Sequence, residues 1–177
     1  LGDVYKRQAH GKRAFIMSHV LDMTGAPIVL VSAVPVLRSM GYEVLVLGPS
    51  DGGSLHLFLD AGASVITRSS CRNVSDAWGM ALCADFVIAN TVVMARAVRA
   101  LSGTAVPVLW WLHDAFAGYP FIAHRIPKTL DSNVHVCAVG SHATAAMHSV
   151  RPDFNIEQLI YGLPDYAAEV VAVKSEC

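Results

Sequence analysis

The patterned part of the chain starts with an apolar run at Ala14, crosses a short polar loop and resumes as a long apolar segment from Ala26. This stretch, AFIMSHVLDMTGAP, predicts a buried strand, a turn and the start of a helix. Short β-branched runs recur at Glu43–Leu47, Ser64–Thr67, Asp85–Ala89, Val106–Leu112 and His135–Val139, and each predicts a strand. Ile156–Tyr161 predicts one more. Between them lie segments of helical spacing. Ala26–Met40 stops before Gly41, with Pro35 expected to kink or divide it. In LHLFLDAG, Leu55, Phe58 and Leu59 share a face and Gly62 ends the helix. VVMARAVRAL turns Arg96 and Arg99 outward, and HATAAMHSV follows Ser141 as its expected cap. Val74–Cys83 is only moderately amphipathic, and the piece leading to Leu130 is read as loosely defined helix.

Strand and helix patterns alternate about six times at βα spacing, which predicts an α/β fold built on a doubly wound parallel sheet. Helices on both faces of such a sheet bury its strands on both sides, so the strands read as continuous apolar runs. On that reading Trp110 and Trp111 point to opposite faces, and at least one belongs to the core.

The same assignment fixes where chemistry can sit. Loops that follow strands fall on the carboxyl rim of a parallel sheet, where ligands collect and helix N-termini expose unpaired N–H groups. The residues singled out there are His19 with Thr24 and Gly25, then Asn90 with Thr91, His113 with Asp114, and Ser141. Thr24 is expected to cap the first helix, Gly25 to admit a ligand close to the backbone, and Pro27 to suit the first turn. A phosphate or sugar site at this loop is the functional reading, beside the plainer one of an ordinary strand-to-helix connection.

Composition narrows the classes. With 177 residues, 54% of them hydrophobic, the chain can build a large core without staples, and no apolar run reaches the length of a membrane helix. A net charge of −1 with acids and bases interspersed leaves no footprint for nucleic acid, and membrane attachment through a basic patch is not indicated. The four cysteines are far apart and form no C-x-x-C pair, so reduced thiols and a cytoplasmic location are expected. Eight histidines invite a metal reading, but no H-x-x-x-H or H-E-x-x-H helix occurs, and His142 and His148 are six apart; no metal is expected. The first turn lacks G-x-G-x-x-G, against a dinucleotide oxidoreductase, and G-x-S-x-G is absent, against a nucleophile elbow at Ser141.

Four stretches then carry a resemblance: SHVLDMTGAPIVLVSAVPVLRSMGYEVLVLGPSDG, ADFVIANTVV, PVLWWLHD and IYGLPDY. In this order they resemble the N-terminal half of family-4 glycosyltransferases, retaining enzymes made of two Rossmann-like domains in the GT-B architecture. The resemblance implies a domain that binds the acceptor. The nucleotide-diphosphate sugar would be held mainly by a second domain carrying an E-x7-E pair, which Glu43, Glu157, Glu169 and Glu176 do not provide. Residue by residue, Gly25 matches the glycine loop that approaches the donor phosphate, with Thr24 and Ala26 beside it. His113 matches a histidine near the reaction centre, His19 a position shaping the acceptor side, and Asn90 and Thr91 a loop bordering the cleft, with Asp114 alongside. TGAP departs from relatives with two adjacent glycines, and the Ala26 side chain narrows the approach to the backbone.

The expected organisation is a non-native or disordered leader over residues 1–8, a Rossmann-like acceptor-side domain over 9–164, and a linker or start of a second domain over 165–177. The expected function is acceptor binding in transfer of a sugar, with retention, from a nucleotide-diphosphate sugar to a hydroxyl of a carbohydrate, lipid or other acceptor. No nucleic acid and no cofactor are expected, and no magnesium requirement is implied because D-x-D is absent. A piece ending there would be inactive alone. The alternative is a stand-alone, non-catalytic Rossmann-like binding or interaction module.

Overall fold

In the computed structural model, residues 11–71 and 78–162 are described. They form a seven-stranded sheet in the order β3-β2-β1-β4-β5-β6-β7, with every neighbouring pair parallel. The strands are β1 (Lys12–Met17), β2 (Tyr42–Gly48), β3 (Ser64–Thr67), β4 (Phe86–Asn90), β5 (Val108–Leu112), β6 (Val134–Ala138) and β7 (Ile156–Gln158). The order reverses direction between β1 and β4, which makes that junction the switch point of a Rossmann-like sheet. All seven expected strands form, with ends shifted by a residue or two; β7 stops three residues short of Tyr161.

The sheet divides the core into two apolar layers. On one face, α1 (Gly25–Ser39) and α2 (Leu55–Asp60) bury Val29, Leu30, Val34, Leu37 and Phe58 against Ile16, Val46, Ile88 and Trp111. On the other, α3 (Ala95–Leu101), α4 (Tyr119–Ile122) and α5 (Ser141–His148) bury Val98, Leu101, Tyr119, Ile122 and Met147 against Phe15, Val87, Trp110 and Leu112. Trp110 and Trp111 are therefore both core residues, on opposite faces, because helices cover both sides of the sheet.

Several local expectations are corrected. Helix α1 runs unbroken through Pro35; a proline removes one N–H, and the packing of the flanking Val34 and Leu37 holds the helix together across the gap. Ser141 is the first residue of α5 rather than its cap. Gly140 takes the cap position in extended geometry, and its carbonyl accepts from the Thr144 N–H at 3.1 Å. VVMARAVRAL divides into a 3₁₀ turn over Val92–Met94 followed by α3, and the Arg96 side chain is half-buried while Arg99 is exposed. Leu59 is exposed, so only Phe58 of the α2 set is fully buried. Of Val74–Cys83, Met80–Cys83 forms a 3₁₀ turn, and the part before Trp78 lies outside the described residues, as do the leader and the 165–177 segment.

Candidate functional site

The rim is built first by close packing of two loops. After β1, Ser18 donates its backbone N–H to Leu47 O at 2.8 Å, and Ser54 N–H donates to Leu21 O at 2.9 Å. The β2–α2 loop lies so tightly under the β1–α1 loop that a Cβ on Gly52 would stand 2.2 Å from Leu21 O. Glycine is required there by space alone. This nesting presents the N-terminus of the 15-residue α1 at the rim, with Gly25 exposed and nothing within 4 Å of where its Cβ would be. Thr24 holds the cap position, and its carbonyl accepts from Ile28 N–H at 3.3 Å, but its hydroxyl does not cap the helix. Thr24 Oγ1 donates to Asp22 Oδ1 at 2.5 Å instead, and that bond is the main cause that holds the Asp22 carboxyl below its ordinary range. Thr24 N–H also donates to Asp22 Oδ1 at 3.1 Å, and Pro27 has no N–H, so the first turn of α1 keeps the N–H groups of Gly25 and Ala26 for an anion. Ala26 is half-buried beside them.

Across the switch point, β4 ends in Asn90, paired in register with Trp111 of β5. Asn90 is fully buried and neither atom of its amide has a hydrogen-bond partner. Thr91 follows with φ 70° and ψ 167°, the one non-glycine residue of positive φ among those described. Such a conformation is almost confined to glycine and costs about 1–3 kcal/mol. Three bonds hold it: Thr91 N–H donates to Trp111 O at 2.8 Å, Trp110 Nε1 donates to Thr91 O at 2.8 Å, and Val93 N–H donates to Thr91 Oγ1 at 3.3 Å. A fourth comes from the next loop, where Asp114 Oδ2 accepts from Val92 N–H at 2.6 Å. Burial pushes the Asp114 carboxyl above its ordinary range, opposed by that N–H. Asp114 therefore fastens the β5 loop to the β4 loop.

His113 lies on the opposite side of the strand line from Asp114. Its ring sits 4.9 Å from Trp111 and 6.2 Å from Tyr161, and Tyr161 stands edge-on to Trp111 at 5.9 Å. Desolvation, helped by the charge of His19, lowers His113 to about 4. At neutral pH the imidazole is uncharged, and its Nε2 is buried without a partner. His19 also lowers Asp22, so a single half-buried histidine links the α1 loop electrostatically to His113.

The sequence-predicted residues thus fall into three groups. His19 and His113 stand together; Thr24, Gly25 and Ala26 form the open N-terminus of α1; Asn90, Thr91 and Asp114 lie inward and shape the loops. Trp111, Tyr161 and Tyr119 went unassigned. Tyr119 is buried with an unpartnered hydroxyl, and desolvation and the Asp114 charge raise it above its ordinary range. Tyr161 could have been found, since it is the first aromatic residue of the IYGLPDY stretch. No group of three or more potential metal ligands occurs among the described residues.

This arrangement, an open helix N-terminus and an uncharged histidine on either side of a switch point, fits a ligand that carries both phosphate and hydroxyl groups. The sequence profile of Glycosyl-transferase family 4 matches residues 10–157, most of the chain. The chain belongs to that family. No curated protein matches the chain closely enough to count as a relative. Among solved structures, Anabaena HepE in complex with UDP is similar with a TM-score of 0.64 at 18% identity, covering 93% of this chain and 50% of HepE. An alpha-glucosyltransferase in complex with UDP and a 13-mer DNA containing a HMU base is similar at TM-score 0.56 and 10% identity, covering 94% of this chain and 45% of that one. At these identities the likeness establishes the fold, the Rossmann-like unit found in GT-B glycosyltransferases. The family-4 chain described here spans about half the length of these structures.

Proposed function

We propose that this family-4 chain is the acceptor-side half of a retaining glycosyltransferase that uses a nucleotide-diphosphate sugar. The observation that carries the reading is the pairing of His113 and the α1 N-terminus on one rim, His113 uncharged and α1 open at Gly25. In this reading the N–H groups at Gly25 and Ala26, beside Thr24, face the diphosphate, where the positive end of α1 favours the charge that grows as the sugar bond breaks. His113 meets a sugar hydroxyl as a neutral hydrogen-bonding group, which adds no charge to the reaction centre. His19 borders the acceptor, and Asn90, Thr91 and Asp114 hold the cleft wall. The departing diphosphate takes the proton from the acceptor hydroxyl as that oxygen bonds to the sugar, so no protein carboxylate need act as the base.

UDP is the nucleotide held by HepE and by the alpha-glucosyltransferase, so UDP-sugars are the donors to test first. DNA in the latter belongs to that protein. The charge balance of this chain favours a carbohydrate or lipid hydroxyl instead.

The test is the gene beyond Cys177 together with its product. A second Rossmann-like domain with an E-x7-E pair, and UDP-sugar turnover by the complete protein, are expected. The 177-residue chain alone should bind UDP no better than roughly millimolar, about −4 kcal/mol, because the main donor contacts belong to the other half. A reading frame without such a domain would make this chain a stand-alone binding module.

A further inference from the structure

On the side of the sheet that faces α1, the ends of β4 and β5 carry polar groups that the fold does not pair. Asn90 closes β4 two positions after Ile88 and shares its face, and the register partner of Asn90 on β5 is Trp111. Asn90 is fully buried with no partner at either end of its carboxamide, and the buried Trp111 Nε1 has none either. Trp110, one residue earlier and on the opposite face, is satisfied: its Nε1 donates to Thr91 O at 2.8 Å. His113 follows two residues after Trp111, its ring 4.9 Å from the Trp111 ring, and its Nε2 is buried and unpartnered as well. Buried polar groups are almost always hydrogen-bonded, so three neighbouring side chains of this kind mark one network, closed directly or through buried water.

The chemistry of this set decides where His113 carries its proton. Trp111 offers one N–H and no acceptor, while the Asn90 amide offers two N–H groups and one oxygen with two lone pairs. A neutral imidazole adds either a donor or an acceptor at Nε2. As a donor it would make four donors compete for two lone pairs; as an acceptor it balances three against three. A water between the groups leaves that balance unchanged, because it accepts on one side and donates on the other. We infer that Asn90, with Trp111, fixes the tautomer of His113: Nε2 accepts from inside the domain, the proton sits on Nδ1, and Nδ1–H is the donor offered to an oxygen of the bound sugar. Asn90 is thus a positioning residue that acts through His113. The inference rests on the reading of His113 as the neutral group at the sugar, and adds which of its atoms donates.

Long-range proton–nitrogen correlation NMR of the isotope-labelled 177-residue chain at neutral pH reads the tautomer, since protonated and bare ring nitrogens of a neutral imidazole resonate far apart. His113→Gln identifies the His113 signals among those of the eight histidines. The expected result is a protonated Nδ1 and a bare Nε2. Asn90→Asp, nearly the same in shape, replaces the two N–H donors with an acceptor and should move the proton to Nε2. A wild-type His113 protonated at Nε2, or an Asn90→Asp chain with wild-type circular dichroism and an unchanged tautomer, would overturn the inference; if Asn90→Asp does not fold, the wild-type spectrum decides alone. In the complete protein, the amide nitrogen of His113→Asn stands near the place of Nδ1 and that of His113→Gln near the place of Nε2. His113→Asn should therefore keep about tenfold more of kcat than His113→Gln, at similar KM, and an equal or reversed order would also overturn the inference. Absence of UDP-sugar turnover by the wild-type complete protein would overturn the transfer reading instead, and the tautomer found by NMR would stand.

Discussion

Asp114 reaches across 22 positions of sequence to accept the Val92 N–H at 2.6 Å, and so ties the loop after β5 to the strained turn after β4. A buried carboxylate on a backbone N–H is a charge-assisted bond, and removing it leaves that donor unsatisfied. Asp114→Ala should therefore cost about 2 kcal/mol, seen as a lower denaturant midpoint with an unchanged slope. Asp114→Asn keeps an acceptor and removes a charge that burial already penalises, so it should cost less than half as much. Equal losses for the two variants would show that the charge, rather than the acceptor, secures the loop.

The neighbouring Thr91 supplies a second comparison. Its φ of 70° with ψ of 167° strains any side chain, whereas its hydroxyl contributes one long bond from Val93 N–H at 3.3 Å. Release of the strain should outweigh that bond, so Thr91→Gly is expected to raise stability by about 0.5–1 kcal/mol. Thr91→Val keeps the strain and loses the bond, and should lower stability by about 1 kcal/mol. Thermal melts of the two variants should move in opposite directions. If Thr91→Gly also slows turnover in the complete enzyme, the strain serves the site.

How far the sequence led is clearest at these same residues. The strands were legible because β-branched runs buried on both faces have few alternatives, and the rim positions of His113 and Asn90 follow from strand ends. Roles were harder to read. Nothing local to Asp114 points to Val92, since a contact across 22 positions depends on two strands being neighbours. Thr24 has the right residue type for a cap, yet its hydroxyl donates to the Asp22 carboxylate and accepts from no helix N–H. Tyr161 lies past the end of β7, and its packing on Trp111 needs the fold to bring it there.

Gly52 and Gly25 should respond oppositely to the same substitution. A methyl group at Gly52 would meet Leu21 O at 2.2 Å and Leu21 C at 2.6 Å, backbone atoms that cannot step aside without moving the α1 loop. Gly52→Ala is expected to cost about 2–3 kcal/mol. Gly25 has open space and begins α1, so Gly25→Ala should be neutral or stabilising by up to about 0.5 kcal/mol. In the complete enzyme the reverse order is expected for donor affinity: if Gly25 lies at the proposed phosphate site, the methyl group of Gly25→Ala should raise KM for the nucleotide sugar. An unchanged KM would remove Gly25 from the phosphate site.

His113 makes stability depend on pH in a direction that can be fixed in advance. Its folded value of about 4 lies below the ordinary 6.5, so between those limits the unfolded chain binds a proton that the folded chain refuses. Stability from this group is therefore fully present above pH 6.5 and is lost as pH falls toward 4. The shift sets a ceiling of about 3 kcal/mol, and the remaining solvent contact of the ring reduces this to on the order of 2 kcal/mol. His113→Gln carries no titrating group, so its stability should fall less than that of the wild type across the same interval. Carboxylates elsewhere titrate equally in both proteins and cancel in the comparison. His19, whose charge contributes to the shift, predicts a further effect: in His19→Gln the His113 imidazole should titrate closer to 6.5, measurable from its ring proton resonances. Parallel stability curves for wild type and His113→Gln would mean that the imidazole takes up its proton without cost, and the desolvated neutral histidine on which the sugar-hydroxyl role rests would be lost with it.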